Sequence, residues 1–367
     1  MKVLYLTSSD PCKELAYWLE TQGENVSVFE KAVSLSVVKE FNPDFIVSYH
    51  YQYIIPKDII SFYYPRIINL HLSFLPYNRG RQPNPWSFIE NTPKGVTIHL
   101  VDEKVDTGDI LLQKEVFIDE ETETLKSSYL KLHREIQELF KSNWEILKLG
   151  KIQPVKQKGK GTRKYKRDFV HLEPFIQEKG WDTSIRDFKE RYKISQNLRG
   201  NIEFGEVRLK NFIHLNSEER EMVRQWRNYP EIRKWMYLAR EINQEEHNQF
   251  IEKLVDSPKD FCYLIYKEEE PIGVLCLNKV DFCHQNAYLD VYPNPRMSVH
   301  DASVILEKSA LELAFSIAKL HTLKLEVIES NQNAMSFCKR MGFQEEGRLK
   351  EFVFKEGKWQ DVIIMGI

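Results

Sequence analysis

The first half of the chain alternates short apolar runs with longer stretches whose apolar positions recur at helical spacing. Residues 3–6, 26–29, 45–49, 67–70 and 96–101 are compact and partly β-branched, as buried strands are, and the segments after Pro11 and Ser34 have helical character. Strand and helix in turn predict an α/β fold, a Rossmann-like parallel-rich sheet covered by helices. Between Thr122 and about Leu149, the residues Leu125, Tyr129, Leu132, Ile136, Leu139 and Phe140 predict one long amphipathic helix, with Gly150 as its stop.

That pattern breaks at residues 156–167, KQKGKGTRKYKR, a basic glycine-containing stretch that is either a linker or a loop facing a substrate. A short helix is expected over residues 181–192. At about Gly205 the strand pattern restarts with Glu206-Val207-Arg208-Leu209. The order after it is strand, two helices, three strands, helix, strand, helix and two strands, which predicts a mixed α+β domain. Three segments follow: a first domain at 1–155, a basic loop and helical linker at 156–204, and a second domain at 205–367. A chain of 367 residues has room for two cores.

Composition narrows this only a little. Lys and Arg number 52 against 54 Asp and Glu, a balance unsuited to a chain built to coat nucleic acid. After the first strand, Thr7-Ser8-Ser9-Asp10-Pro11 lacks the glycines that bring a backbone against a pyrophosphate, so the fold need not imply a dinucleotide. The five cysteines, Cys12, Cys262, Cys276, Cys283 and Cys338, lack paired metal or redox spacing, and reduced thiols in a cytoplasm are expected. No apolar run approaches the ~20 residues that span a bilayer, and no leader-like segment opens the chain, so a soluble cytoplasmic protein is expected. No metal is expected, because neither an H-E-x-x-H helix nor a cysteine pair occurs.

The candidate chemistry lies at the fourth apolar run. In a strand, Asn69 and His71 point to one face and Ile68, Leu70 and Leu72 to the other. Pro76 and Gly80 then mark a turn, so the pair sits at a strand end, where open α/β sheets bind ligands. Asp106 follows on the turn Val105-Asp106-Thr107-Gly108-Asp109. An imidazole, an amide and a carboxylate facing one cleft suit acyl transfer to an amine. His71 takes or relays the proton, Asn69 donates to the oxyanion, and Asp106 stabilises the imidazolium or orders a water. No serine or cysteine nucleophile accompanies the set, which favours direct transfer over a covalent intermediate.

The segments Asn69-Leu70-His71-Leu72-Ser73-Phe74-Leu75-Pro76, Arg79-Gly80, Gly95-Val96-Thr97 and Val105-Asp106-Thr107-Gly108-Asp109-Ile110-Leu111 resemble the formyltransferases that use N10-formyltetrahydrofolate. The resemblance covers roughly residues 1–167 and implies Asn69, His71 and Asp106 as the catalytic set. It also implies a folate pocket beside Tyr51-Gln52-Tyr53-Ile54-Ile55-Pro56, with Tyr53, Ile54, Ile55 and Asp102 as cosubstrate-binding residues. Residues 76–86 look like the branch acting on nucleotide-linked amino sugars, which implies Tyr77, Asn78, Arg79 and Gly80 as substrate-binding residues. The β-barrel domain expected of methionyl-tRNA formyltransferases has no counterpart in the pattern.

In the second domain, residues 331–343 (NQNAMSFCKRMGF), preceded by Lys324-Leu325-Glu326-Val327, resemble the late motif of GCN5-related N-acetyltransferases. Arg227-Asn228, Trp235-Met236 and Tyr292-Pro293-Asn294-Pro295 look like the subgroup acetylating UDP-linked 4-amino sugars in pseudaminic acid synthesis. That resemblance implies acetyl-CoA, and two departures oppose it. The stretch expected to cradle a pyrophosphate is Ser298-Val299-His300-Asp301-Ala302-Ser303, without glycine and with a carboxylate, and Cys338 stands where relatives carry a tyrosine acid. The expectation is therefore a formyltransferase acting on a UDP-linked 4-amino-dideoxy sugar, with a second domain that has lost acetyl transfer. A bifunctional formyl- and acetyltransferase is the alternative. The partners implied are a nucleotide sugar and folate, with a homodimer as the assembly and no nucleic acid or membrane.

Overall fold

A computed structural model describes the backbone of residues 1–367 and every side chain except that of Val299, so this one member of the 298–303 stretch lies outside the described side chains. The chain divides into two compact units, residues 1–170 with 179–189, and residues 171–178 with 190–367.

The first unit is the expected α/β layer. Its strands are β1 (Lys2–Leu6), β2 (Asn25–Phe29), β3 (Phe45–Tyr49), β4 (Ile67–His71), β5 (Arg79–Gly80), β6 (Gly95–Leu100), β7 (Ile110–Glu115) and β8 (Arg163–Lys164). Six of them form one sheet in the order β2-β1-β3-β4-β6-β7. The β1–β2, β1–β3 and β3–β4 pairs are parallel, and β6 and β7 continue the sheet antiparallel. Every residue of β3 and β6 is buried, as the continuous apolar runs demand of strands covered on both faces.

Helices α1 (Lys13–Thr21), α2 (Leu35–Phe41), α3 (Lys57–Tyr63), α4 (Pro83–Ile89) and α5 (Leu125–Lys148) pack around that sheet. The long helix α5 begins at a capping box in which Thr124 and Ser127 satisfy each other's backbone N–H groups, a device worth about 1 kcal/mol. Its buried stripe includes Leu132, Ile136, Phe140 and Trp144, and the indole N–H of Trp144 donates to buried Glu24 at 3.0 Å.

The basic stretch is anchored within this unit. Strand β8 pairs with β5 in a separate two-stranded ladder, and Lys164 reaches Glu90 at 2.6 Å while its ammonium lies 4.0 Å from the centre of the Trp86 ring. Gly80, at φ 89°, is required here: a Cβ would stand 2.2 Å from the Lys164 carbonyl oxygen.

The second unit is a mostly antiparallel eight-stranded sheet. Helix α6 (Ile185–Arg199) carries the division between the units. The strands are β9 (Ile202–Phe204), β10 (Val207–Asn211), β11 (Phe261–Lys267), β12 (Glu270–Asp281), β13 (Asn286–Pro293), β14 (Thr322–Ile328), β15 (Gln344–Lys355) and β16 (Lys358–Gly366), ordered β15-β16-β14-β13-β12-β11-β10-β9. Helices α7 (Ser217–Asn228), α8 (Pro230–Arg233), α9 (Gln244–Asp256), α10 (Val299–Leu311) and α11 (Gln332–Arg340) complete it. The single parallel contact, β13 with β14, runs only from Asn286↔Thr322 to Tyr288↔Lys324. Beyond that point the two strands part within the sheet.

One expectation is corrected. Cys262 and Cys276 stand opposite each other in the β11–β12 ladder and are disulfide-bonded, leaving Cys12, Cys283 and Cys338 as free thiols. Cross-strand register, invisible in the 14-residue spacing, brings them together. Among the described residues no helix is long and apolar enough to cross a membrane.

Candidate functional site

The first unit encloses a cavity of about 990 Å³. Strand β4 brings Asn69 and His71 to one end of it and β6 supplies His99, while the 105–109 turn returns Asp106 against them. Asp106 has a left-handed backbone, φ 56°, and Gly108 packs so closely that a Cβ would lie 1.7 Å from the Leu100 carbonyl oxygen. The turn therefore needs its glycine to push the carboxylate inward.

The Asp106 carboxylate accepts from the Gly80 N–H at 2.8 Å and from Asn69 Nδ2 at 3.2 Å, and lies 3.7 Å from His71 Nδ1 and 3.5 Å from His99 Nε2. Burial alone would raise its pKa. His71, His99 and the Gly80 N–H outweigh that and hold the carboxyl well below the usual range. His71 is buried, which pushes its pKa down, while nearby Asp106 pulls the other way. Its Nε2 lies 3.1 Å from the Asn78 carbonyl oxygen, so Nε2 carries the proton and donates. The lone pair of neutral His71 is then on Nδ1, beside Asp106. An acceptor whose conjugate acid faces a carboxylate is a general base with its counter-charge in place.

His99 escaped the reasoning from sequence. It is 2% exposed, its Nδ1 donates to the Leu100 carbonyl at 2.7 Å, and its Nε2 accepts from Asn69 Nδ2 at 3.2 Å. Both Asn69 N–H bonds are thus engaged, by Asp106 and His99, so donation to an oxyanion requires one of these bonds to be exchanged. The period-two rule could have found His99, because Thr97 and His99 alternate on β6 opposite His71 and Asn69.

The other expected binding residues fall into two groups. Tyr53, Ile54, Ile55, Asp102 and Gly80 line the cavity. Ile54 is 75% exposed, and Asp102 is bonded to the Thr107 hydroxyl at 2.6 Å. Tyr77, Asn78 and Arg79 are not among the lining residues. For Asn78 this is a correction: it is fully buried, its amide donates to Glu90 at 2.8 Å and accepts from Thr92 at 2.6 Å, and its N–H donates to Thr162. It holds the turn from outside the cavity lining. Arg79 is likewise occupied, by Gln157 Oε1 at 2.7 Å, and the Gln157 amide in turn donates to the carbonyls of Asp106 and Gly108. The cationic lining comes from Arg81, Lys104 and Lys126 and from the basic stretch, through Arg163, Lys164 and Lys166.

In the second unit, Tyr237 donates to Glu326 on β14, and Asp290 on β13 accepts from Asn278 at 2.7 Å. Asp290 is raised, by desolvation first and by nearby Glu326 second. Cys338, on α11, is buried, and its thiol is pushed up to about 12 by that burial.

A parallel-rich α/β sheet that gathers amide, imidazole and carboxylate at one cavity, with no nucleophilic side chain bonded to them, is an arrangement suited to direct acyl transfer to an amine. A mostly antiparallel sheet parting after one short parallel contact is the layout of a GNAT domain. The comparisons agree. The pattern of the "Formyl transferase" family matches residues 11–142 and that of the "Acetyltransferase (GNAT) domain" matches residues 214–364. Residues of this chain are 32% identical to the acetyltransferase PseH of Campylobacter jejuni over 147 residues, which is 40% of this chain and 90% of the relative. They are 35% identical to the methionyl-tRNA formyltransferase of Caldanaerobacter subterraneus over 158 residues, 41% of this chain, and the chain spans about half the length of that relative, 49%. A crystal structure of the formyltransferase PseJ from Anoxybacillus kamchatkensis, in complex with UDP-4,6-dideoxy-4-formamido-L-AltNAc and tetrahydrofolate, is 38% identical and covers 51% of this chain and 97% of its own, with a TM-score of 0.48. The chain belongs to the formyltransferase family through its first domain and to the GNAT acetyltransferase family through its second.

Proposed function

We propose that the first unit moves a formyl group from N10-formyltetrahydrofolate to the 4-amino group of a UDP-linked dideoxy sugar, in pseudaminic acid type surface glycan synthesis. The observation that carries this reading is the meeting of Asn69, His71, Asp106 and His99 at one end of a cavity that is aromatic and apolar along Tyr53–Ile55 and cationic along Arg81, Arg163, Lys164 and Lys166. A pterin suits the first wall and a diphosphate the second. The 38% identity to the Anoxybacillus relative, which was crystallised with UDP-4,6-dideoxy-4-formamido-L-AltNAc and tetrahydrofolate, supports this acceptor class.

In the step itself, the neutral amine attacks the formyl carbon and a tetrahedral oxyanion forms. His71 Nδ1 takes the proton the amine must lose, with Asp106 fixing the resulting imidazolium, and the proton passes to N10 as the carbon–N10 bond breaks. Asn69 releases one of its two N–H bonds to meet the oxyanion. Incubation of the protein with N10-formyltetrahydrofolate and UDP-4-amino-4,6-dideoxy sugars, followed by mass spectrometry, is expected to show a gain of one formyl group. Absence of product with every such sugar would overturn the acceptor assignment, and an unchanged rate in His71→Ala would overturn the mechanism.

The second unit is read as a sugar-nucleotide-binding or dimer-supporting domain without acetyl transfer. Asp301 in the first turn of α10 and the buried thiol of Cys338 support that reading, because a carboxylate repels a pyrophosphate and a thiol so buried is a poor acid. Its rival, acetylation of the same sugar class, is favoured by the 32% identity across 90% of PseH. Calorimetry with acetyl-CoA separates them: saturable binding below millimolar concentration supports the rival.

A further inference from the structure

We propose that Cys12, His50 and His133 form a binding site for a borderline-soft divalent cation of the Zn²⁺ class at the edge of the formyl-transfer cavity. The three come from separate elements: Cys12 caps the start of α1, His50 follows β3, and His133 lies in the third turn of α5. A donor atom on each lies within 4.8 Å of the others. Separations of 38 and 83 residues match no metal-binding motif, so spacing alone could not reveal the set.

The surroundings are those of a ligand set. His133 is 8% exposed, its Nδ1 is held by the Tyr49 hydroxyl at 2.5 Å, and its Nε2 is buried with no hydrogen-bond partner. A buried ring nitrogen without a partner is costly, and a histidine with one nitrogen fixed by a neighbour and the other free is the arrangement metal-binding histidines adopt. The His50 ring stacks on the His133 ring with centroids 4.8 Å apart, and Tyr129 packs edge-on against His133 at 4.4 Å. His50 has a left-handed backbone, φ 53°, locked by the Ser8 N–H donating to its carbonyl at 3.1 Å. Strain of this kind in a non-glycine residue is retained where a side chain must be placed. Cys12 is fully buried at the start of α1, and that burial pushes its thiol up to about 11, so an incoming cation must displace the proton to gain the sulfur.

Donor chemistry selects the ion. One sulfur and two imidazoles suit Zn²⁺ and its neighbours, and the three side chains offer no oxygen to a hard cation such as Ca²⁺ or Mg²⁺. At ordinary zinc–ligand lengths tetrahedral donors are roughly 3.5 Å apart, so the set must close by about 1 Å. His50, exposed and lining the cavity, is the ring free to make that adjustment, and it gives the ion a way in. Water completes the fourth position. Binding exchanges the Cys12 thiol proton for the metal and involves no change of oxidation state.

The test uses the untagged full chain, stripped with a chelator and titrated with Co²⁺. The expected result is a thiolate-to-cobalt charge-transfer absorption that saturates at one equivalent and is displaced by Zn²⁺. Cys12→Ser abolishes the band, while Cys283→Ser and Cys338→Ser keep it. His50→Ala, at an exposed position, weakens binding by at least about tenfold while the far-ultraviolet circular dichroism stays that of the unaltered protein. No band in the unaltered protein, a band surviving Cys12→Ser, or unchanged affinity in His50→Ala each overturns the site. Should Cys12→Ser fail to fold, the His50→Ala affinity decides. Neither formyl donor nor sugar enters the measurement, so the result stands apart from the formyl-transfer reading.

Discussion

Asp106 and Asp290 are the same residue type set in opposite fields. In the first unit two histidines and a backbone N–H surround Asp106 and keep it ionised against the cost of burial. In the second unit Asp290 is desolvated and faces another carboxylate, Glu326, which together outweigh the support of the Asn278 amide and the Lys279 charge, so its proton is held more tightly than usual. The difference shows that burial alone does not decide protonation; the sign of the neighbours does. A fixed anion beside a neutral imidazole can stabilise a proton in transit. Two carboxylates beside a tyrosine can only share one.

The largest test of this contrast is Asp106→Asn. Removing the anion is expected to lower kcat for formyl transfer on the order of 10⁴-fold, as loss of a buried aspartate behind a catalytic histidine does elsewhere, with KM for the folate little changed. The matched Asp290→Asn is expected to leave that rate where it was. Next in size is His99→Phe, which frees an Asn69 N–H and leaves the amide without its second anchor; a fall in kcat of about 10² is expected, with partial recovery in His99→Gln.

The pH profile gives a smaller and sharper signal. Because burial lowers the His71 pKa, kcat/KM is expected to rise with pH through a midpoint below the ordinary ~6.5 and to be level at neutrality. Asp106 pulls that pKa upward, so Asp106→Asn should carry the residual limb further to the acid side.

The smallest effect concerns the stability of the second unit. His247 is 5% exposed, its Nε2 has no partner, and burial lowers its pKa to about 4. Below ~6.5 the unfolded chain takes up the proton first, so stability falls as pH drops and the loss reaches on the order of 3 kcal/mol near pH 4. His247→Phe is expected to flatten that slope in urea titrations followed between pH 7 and 4.

Much of the first unit could be read directly. Continuous apolar runs become buried strands wherever helices cover both faces, and a period of two commits Asn69 and His71 to one side whatever surrounds them. The Asp106 turn was legible for a similar reason, since Gly108 tolerates a contact no other residue can make. Asn78 misled because a polar residue beside Arg79 in a turn looks available, and only packing shows its amide consumed by Glu90 and Thr92.

What local pattern dictates, namely strand faces, helix stripes, turn glycines and the pair of domains, depends on chemistry within a few residues and is written in order along the chain. What folding added depends on residues far apart in sequence. Strand pairing placed His99 against Asn69, ladder register joined Cys262 to Cys276, and the β5–β8 pairing turned a basic stretch into a cavity wall. The packing of α1 and α5 against β3 assembled Cys12, His50 and His133. Such contacts are made by a third dimension in which sequence separation carries no distance, and a one-dimensional pattern has no term for them.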